Sequence, residues 1–169
     1  GTFSKSMFPS LRKGFVVAPA WARTGLITVK HCVDSHCDSI TQSALAAFIR
    51  DGHLARHVRH MRPIYAERRE ALLDGLHRAL GEWLQPIPSE AGLHLAARFR
   101  DPALAPKIMP TVLRFAPGAE STADYAMTRD IEPAVTFGYG VIDAGEIAVA
   151  GGKMRRALEQ GPGNERGGH

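Results

Sequence analysis

The stretch "HLARHVRHMRPIYAERREALLDGLHRAL", residues 53–80, constrains the fold most. Leu54, Val58, Met61, Tyr65, Leu72, Leu76 and Leu80 recur along it on a loosely shared stripe at helical spacing. The pattern predicts one long helix with a basic outer face. Pro63 lies inside it. A proline has no N–H to donate and its ring crowds the preceding turn, so it must kink the helix or divide it in two.

The flanking segments differ in kind. Residues 1–12 read as loop, and "GFVVAP" (14–19) is a short apolar run closed by proline, which predicts a buried strand. A helix is expected from Ala20 to about Lys30 and another over "SITQSALAAFIRDG", where Ser39 or Thr41 can cap the start and Gly52 stops the end. After Gly81, "WLQPIPSEAGLHLAARF" predicts a turn and then a strand around Leu93–Phe99. From Asp101 to Pro133 the pattern is weak, with several prolines and few periodic apolar positions. "AVTFGYG" reads as a strand, "DAGEIAVAGGKMRRALEQ" as a terminal helix weakened by glycines, and "GPGNERGGH" as a disordered tail. Strand, helices, strands and helix in this order predict a layered α/β or α+β architecture without internal repeats.

At 169 residues and 44% hydrophobic, the chain has the size of one domain and enough apolar material for a core. A net charge of +4 with 22% charged residues does not single out a polyanion partner. The sequence has no apolar run long enough for a bilayer and no charged stretch leading into an apolar core at its amino end, so a cytoplasmic, membrane-free protein is expected. Cys32 and Cys37 sit in "HCVDSHC" beside His31 and His36. On a helix, residues five apart point about 140° apart, an awkward geometry for chelation, and no second ligand cluster follows. Reduced structural thiols, with no metal, are the expectation.

"GTFSKSMFPSLRKGF", at the amino end, carries the chemistry. A lysine amine with a lowered pKa is a nucleophile whose signature reaction is imine formation with an aldehyde. Thr2 and Ser4 offer hydroxyl donors around Lys5, Arg12 offers a planar fork for a phosphate, "FPS" supplies a turn that can return Arg12 toward Lys5, and Gly14 lets the backbone pass close by. A phosphorylated aldehyde, pyridoxal 5'-phosphate, suits that set. The same residues also read as a solvated turn with two ordinary cations.

"GTFSKSMFPSLRKGFVVAP" resembles the lysine segment of the fold-type I pyridoxal-phosphate enzymes, and "GTFSK…FPSLR.G" is most similar to the aminotransferase-like domain of MocR-type regulators, GntR-family transcription factors. Three more segments, in order, resemble the same family: "TQSALAAFIRDGHLARHVRHMRPIYAERREALLDGL", "AGLHLAARF" and "FGYGVIDAGEI". The resemblance implies an α/β fold, the carboxy-terminal part of a fold-type I transferase of class I/II. Residues 1–52 would be the remnant of the large cofactor-binding domain, 53–80 an interdomain helix, 81–160 a small α+β domain and 161–169 a disordered tail. By the same resemblance Lys5 carries the internal aldimine and is the catalytic residue, while Thr2, Ser4 and Arg12 hold the cofactor phosphate. Tyr65, Arg68 and Arg69 match the helix signature and read as packing and salt-bridge residues. Thr136 stands where many aminotransferases of this fold place a carboxylate-gripping arginine.

Three functions follow. The first is an effector-sensing domain that takes an amino compound, is homodimeric in its full-length form, and reaches DNA only through a separate amino-terminal winged-helix module that a chain beginning at Gly1 would lack. The second is a genuine amino acid aminotransferase, in which Lys5 shuttles a proton as general acid and base. The third, from another class, is a nucleic-acid-binding helix over "RHVRHMRPIYAERRE", whose face Glu67 and Glu70 dilute.

Overall fold

Asp38 decides where the helix that starts at Ser39 begins. Its carboxylate accepts the N–H of Thr41 at 3.0 Å and meets the Lys13 ammonium at 3.1 Å. The cap is thus the residue before the Ser39 and Thr41 expected from sequence, because an aspartate side chain at that position reaches the free amide three residues on. The computed structural model describes residues 1–7, 9–35, 37–90, 92–127 and 131–160, so the "GPGNERGGH" tail lies outside the described residues. Helix α1 spans Ala20–Val33, α2 Ser39–Arg50, α3 His53–Leu80, α4 Ala105–Phe115 and α5 Ala144–Gln160. The chain divides into two units, Gly1–Met61 and Arg62–His169, and the division falls inside α3.

Hydrogen bonds from Thr41, and then the Lys13 contact, hold the Asp38 carboxyl at about 2, below its ordinary 3.8. The folded value is the lower one, so the cap's contribution is present in full above about 3.8 and is lost as pH falls through about 2. Acidification across that window should speed amide exchange at the first turn of α2. An Asp38→Ala chain should show the fast exchange already at neutral pH, and equal rates in the two chains at pH 6 would contradict the cap.

Within the first unit no side chain of α1 or α2 is buried. Trp21 is 85% exposed and Val17 89%. The expected strand over 14–19 is not formed: only Gly14 pairs, through a single bridge to Thr2, because the described sheet lies wholly in the other unit. Exposed apolar surface of this extent drives association. The 169-residue chain should therefore sediment as oligomers at micromolar concentration, and a Val17→Thr, Trp21→Gln double variant should shift it toward monomer. A variant that sediments like the parent would argue against this surface.

In the second unit, four strands form an antiparallel sheet: β1 (Leu84–Pro86), β2 (His94–Phe99), β3 (Ala119–Ser121) and β4 (Ala134–Gly138), in the order β1-β2-β4-β3. Period-two alternation turns Leu95, Ala97 and Phe99 into the core and leaves His94 and Arg98 outside. Leu72, Leu76 and Leu80 of α3, Ile108 and Val112 of α4, and Ile147 and Met154 of α5 complete the core. Helix α3 runs unbroken through Pro63, neither divided nor ended there.

Helix α4 and the short strands β1 and β3 were not legible from propensity. The apolar stripe of α4, Ala105, Ile108 and Val112, has helical spacing, but Pro106 and Pro110 mask it. Pro106 sits in the first turn, where its missing N–H has no helical acceptor to lose, and only Pro110 removes a helical hydrogen bond. Polar staples hold the layers. Arg68 donates to the Gly140 carbonyl at 2.7 Å and to Asp143 at 3.0 Å, and Arg155 reaches the Arg78 carbonyl at 2.9 Å and Glu82 at 3.1 Å.

Candidate functional site

Residues 1–15 fold back on themselves. Phe15 N–H donates to the Gly1 carbonyl at 2.9 Å, Phe3 N–H donates to the Lys13 carbonyl at 3.0 Å, and Thr2 bridges Gly14 in antiparallel register. The rings of Phe3 and Phe15 pack with centroids 5.4 Å apart. This pairing brings the backbone of Thr2–Phe3 alongside that of Lys13–Gly14, so Ser4 and Lys5 follow one arm and Arg12 precedes the other. A Cβ on Gly14 would stand 2.8 Å from the Gly1 carbonyl oxygen, so glycine is required there, as the sequence suggested.

Each expected site residue has a definite place. Thr2 is exposed, and its Oγ1 accepts the Ser4 N–H at 3.2 Å, which leaves its own O–H free to donate. Ser4 is half-buried at the start of the turn; Lys5 and Arg12 are exposed. Arg12 has φ 49°, a left-handed conformation that a residue with a side chain adopts only at some cost, and it marks the corner where the second arm begins. The structure brings the backbones of all four onto one small loop.

Phe3, Phe15 and the Lys13–Asp38 ion pair went unremarked in the sequence, yet they shape and tether that loop. Two phenylalanines twelve positions apart, flanking a turn, were the available signal. No acidic residue occurs before Asp34, so residues 1–33 are a field of donors and cations. Such a loop can hold a phosphate dianion beside a primary amine. By residue type, the hydroxyls, guanidinium and primary amine on this stretch are groups that a phosphorylated aldehyde such as pyridoxal phosphate can use.

Other candidate sites carry less. Cys32 and Cys37 are exposed free thiols, and among the described residues no group of three or more His, Cys, Asp or Glu is placed to hold a metal; His36 lies outside them. Thr136 is half-buried on β4, and its hydroxyl donates to the Glu120 carbonyl at 3.3 Å. Arg68 and Arg69 are engaged with main-chain carbonyls, consistent with a packing role. No described helix is long and apolar enough to cross a membrane.

The probable rhizopine catabolism regulatory protein MocR of Rhizobium meliloti is 41% identical over 99 residues, covering 59% of this chain and 20% of the relative. The uncharacterised HTH-type transcriptional regulator YhdI of Bacillus subtilis is 34% identical over 107 residues, covering 61% and 22%. The chain thus spans about a fifth of the length of these regulators. Among solved structures, the α-aminoadipate aminotransferase LysN of Thermus thermophilus, complexed with N-(5'-phosphopyridoxyl)-L-leucine, superposes with a TM-score of 0.76 at 21% identity over 94% of this chain and 40% of its own, which shows a shared fold. The sequence pattern of the aminotransferase class I and II family matches residues 1–122, and the chain belongs to that family.

Proposed function

We propose that this chain is part of an amino-compound-sensing domain that binds pyridoxal 5'-phosphate, within a transcriptional regulator of the MocR type. The observation that supports the reading is the backbone pairing of Thr2–Phe3 with Lys13–Gly14, on a stretch whose sequence holds Ser4, Lys5 and Arg12 and no acidic residue. In it, Lys5 Nζ would be the residue that holds the cofactor's aldehyde end, and the hydroxyls of Thr2 and Ser4 with the Arg12 guanidinium would hold its phosphate. The cofactor, when bound, would supply an aldehyde able to condense with primary amines. Residues 1–52 belong to the large domain, 53–80 to the interdomain helix and 81–160 to the small domain. The whole regulator works as a cytoplasmic homodimer and reaches DNA through a winged-helix module outside these residues. The regulator relatives, at 41% and 34% identity, support sensing over turnover.

The test is to incubate the protein with pyridoxal phosphate, reduce with borohydride and map the adduct by peptide mass spectrometry. The expected result is a phosphopyridoxyl mass on Lys5; an adduct confined to other lysines would overturn the reading. Sustained transfer of an amino group from an amino acid to an oxo acid would assign an aminotransferase instead.

Arg12→Ala should weaken cofactor retention by about 1.5 to 3 kcal/mol, the worth of a charge-assisted hydrogen bond, while leaving the trapping chemistry at Lys5 intact once the cofactor is saturating. A cofactor titration with unchanged affinity would remove Arg12 from the phosphate site.

A further inference from the structure

We infer that Asp38 is a positioning residue for the proposed cofactor site: through Lys13 it holds Arg12 in its left-handed corner and so sets where the phosphate end of the cofactor is bound. This role rests on the cofactor reading above. The two carboxylate oxygens of Asp38 do different things. Oδ1 accepts the Thr41 N–H at 3.0 Å and caps α2, while Oδ2 meets Lys13 Nζ at 3.1 Å. One side chain thus joins the first turn of a helix to the arm of the loop that carries Arg12. The Lys13 side chain is 20% exposed and that of Asp38 49%, so the pair is partly shielded from water and screened less than a fully solvated one.

Arg12 is where such a tie matters. Its φ of 49° is the one positive value at a residue other than glycine among the described residues. A residue with a Cβ keeps that conformation only where its surroundings over-determine it. On the carboxyl side the chain is pinned at once: the Lys13 carbonyl accepts the Phe3 N–H at 3.0 Å, Gly14 bridges Thr2, and the Lys13 ammonium meets Asp38. Of these three, the ion pair alone anchors the corner to an element outside the loop. Without it the corner relaxes toward negative φ, and the guanidinium changes direction. Charge by itself argues the opposite way. A carboxylate near a phosphate site repels the dianion, so neutralising it should tighten binding. Position and charge therefore predict opposite signs for one substitution.

That substitution is Asp38→Asn, which keeps an oxygen for the Thr41 N–H, since asparagine caps as well as aspartate, and turns an amide N–H toward Lys13. In the full chain, the pyridoxal phosphate concentration for half-maximal borohydride trapping at Lys5 should rise about threefold, with the adduct at saturation unchanged. Pyridoxal, which has the aldehyde and no phosphate, should show no such rise. Without any cofactor, exchange of the Phe3 and Phe15 amides should quicken about threefold while that of Thr41 stays as in the parent. Lys13→Gln leaves the Asp38 cap untouched and should quicken the same two amides, which serves should Asp38→Asn unfold α2. An unchanged or lower half-maximal concentration in Asp38→Asn, or an equal rise with pyridoxal, would overturn the role. A parent adduct at Lys5 together with unmoved Phe3 and Phe15 amides in both variants would overturn it alone, whereas a parent chain without that adduct would overturn the cofactor reading and the role with it.

Discussion

Phe99→Ala is expected to destabilise the unit of residues 62–160 by about 3 to 5 kcal/mol, a large share of the about 5 to 15 kcal/mol that holds an ordinary domain together. Phe99 is 1% exposed, pairs with Leu84 across β1 and β2, and lies in the core on the same face as Leu95 and Ala97. Truncation there removes the transfer free energy of a benzyl group and leaves a hole that the flanking strands, held in register on both sides of β2, cannot close. The matched control is Phe15→Ala, at a ring already 50% exposed, whose cost should be much smaller. Thermal unfolding followed by the fluorescence of Trp83, half-buried against this core, reads the effect. Equal losses in the two variants would mean that the core has been placed wrongly.

Lys5→Ala should abolish the borohydride-trapped cofactor adduct altogether, whereas Lys13→Ala should leave it in place. The comparison is informative because both lysines stand on the same short loop but differ in surroundings: Lys13 is tied to Asp38 at 3.1 Å, and Lys5 is exposed at the turn. The Lys13 ammonium is engaged by the Asp38 carboxylate, which holds that side chain away from a bound aldehyde. Lys5→Arg keeps the positive charge without a primary amine and should also give no adduct, which separates covalent attachment from simple attraction of phosphate. Undiminished trapping in Lys5→Ala would exclude the assignment whatever the affinity for the cofactor.

The sequence was most informative where hydrophobic period and punctuation agreed. The long helix over 53–80, the helix after Ser39 ended by Gly52 with φ 75°, the strand at Leu93–Phe99 and the strand and helix that follow Pro133 all lie where their patterns put them, to within a few residues. It was least informative where tertiary context decides. "GFVVAP" has the composition of a buried strand, but composition cannot supply a neighbouring strand, and without one Val16 and Val17 remain exposed. The helix α4 was hidden because two prolines carry an average penalty that position within the helix largely removes. Around Lys5, the residue types and Gly14 could be read from the sequence, while the fold-back that gathers them depends on Phe3, Phe15 and the Lys13–Asp38 pair, contacts that no local pattern announces.

Helix α1 has a thermodynamic consequence of its own. With no buried side chain and no side-chain cap at its amino end, its fourteen residues are stabilised chiefly by backbone hydrogen bonds and by a pair such as Lys30 with Asp34. Nucleation is costly, and an isolated helix of that length is marginal in water. Its helicity therefore fades gradually on warming, uncoupled from the cooperative melting of the sheet and its helices. A circular-dichroism scan of this chain is then the sum of a sloping component and a sigmoidal one, and a single two-state fit to the total signal understates the enthalpy of the part that melts as a unit.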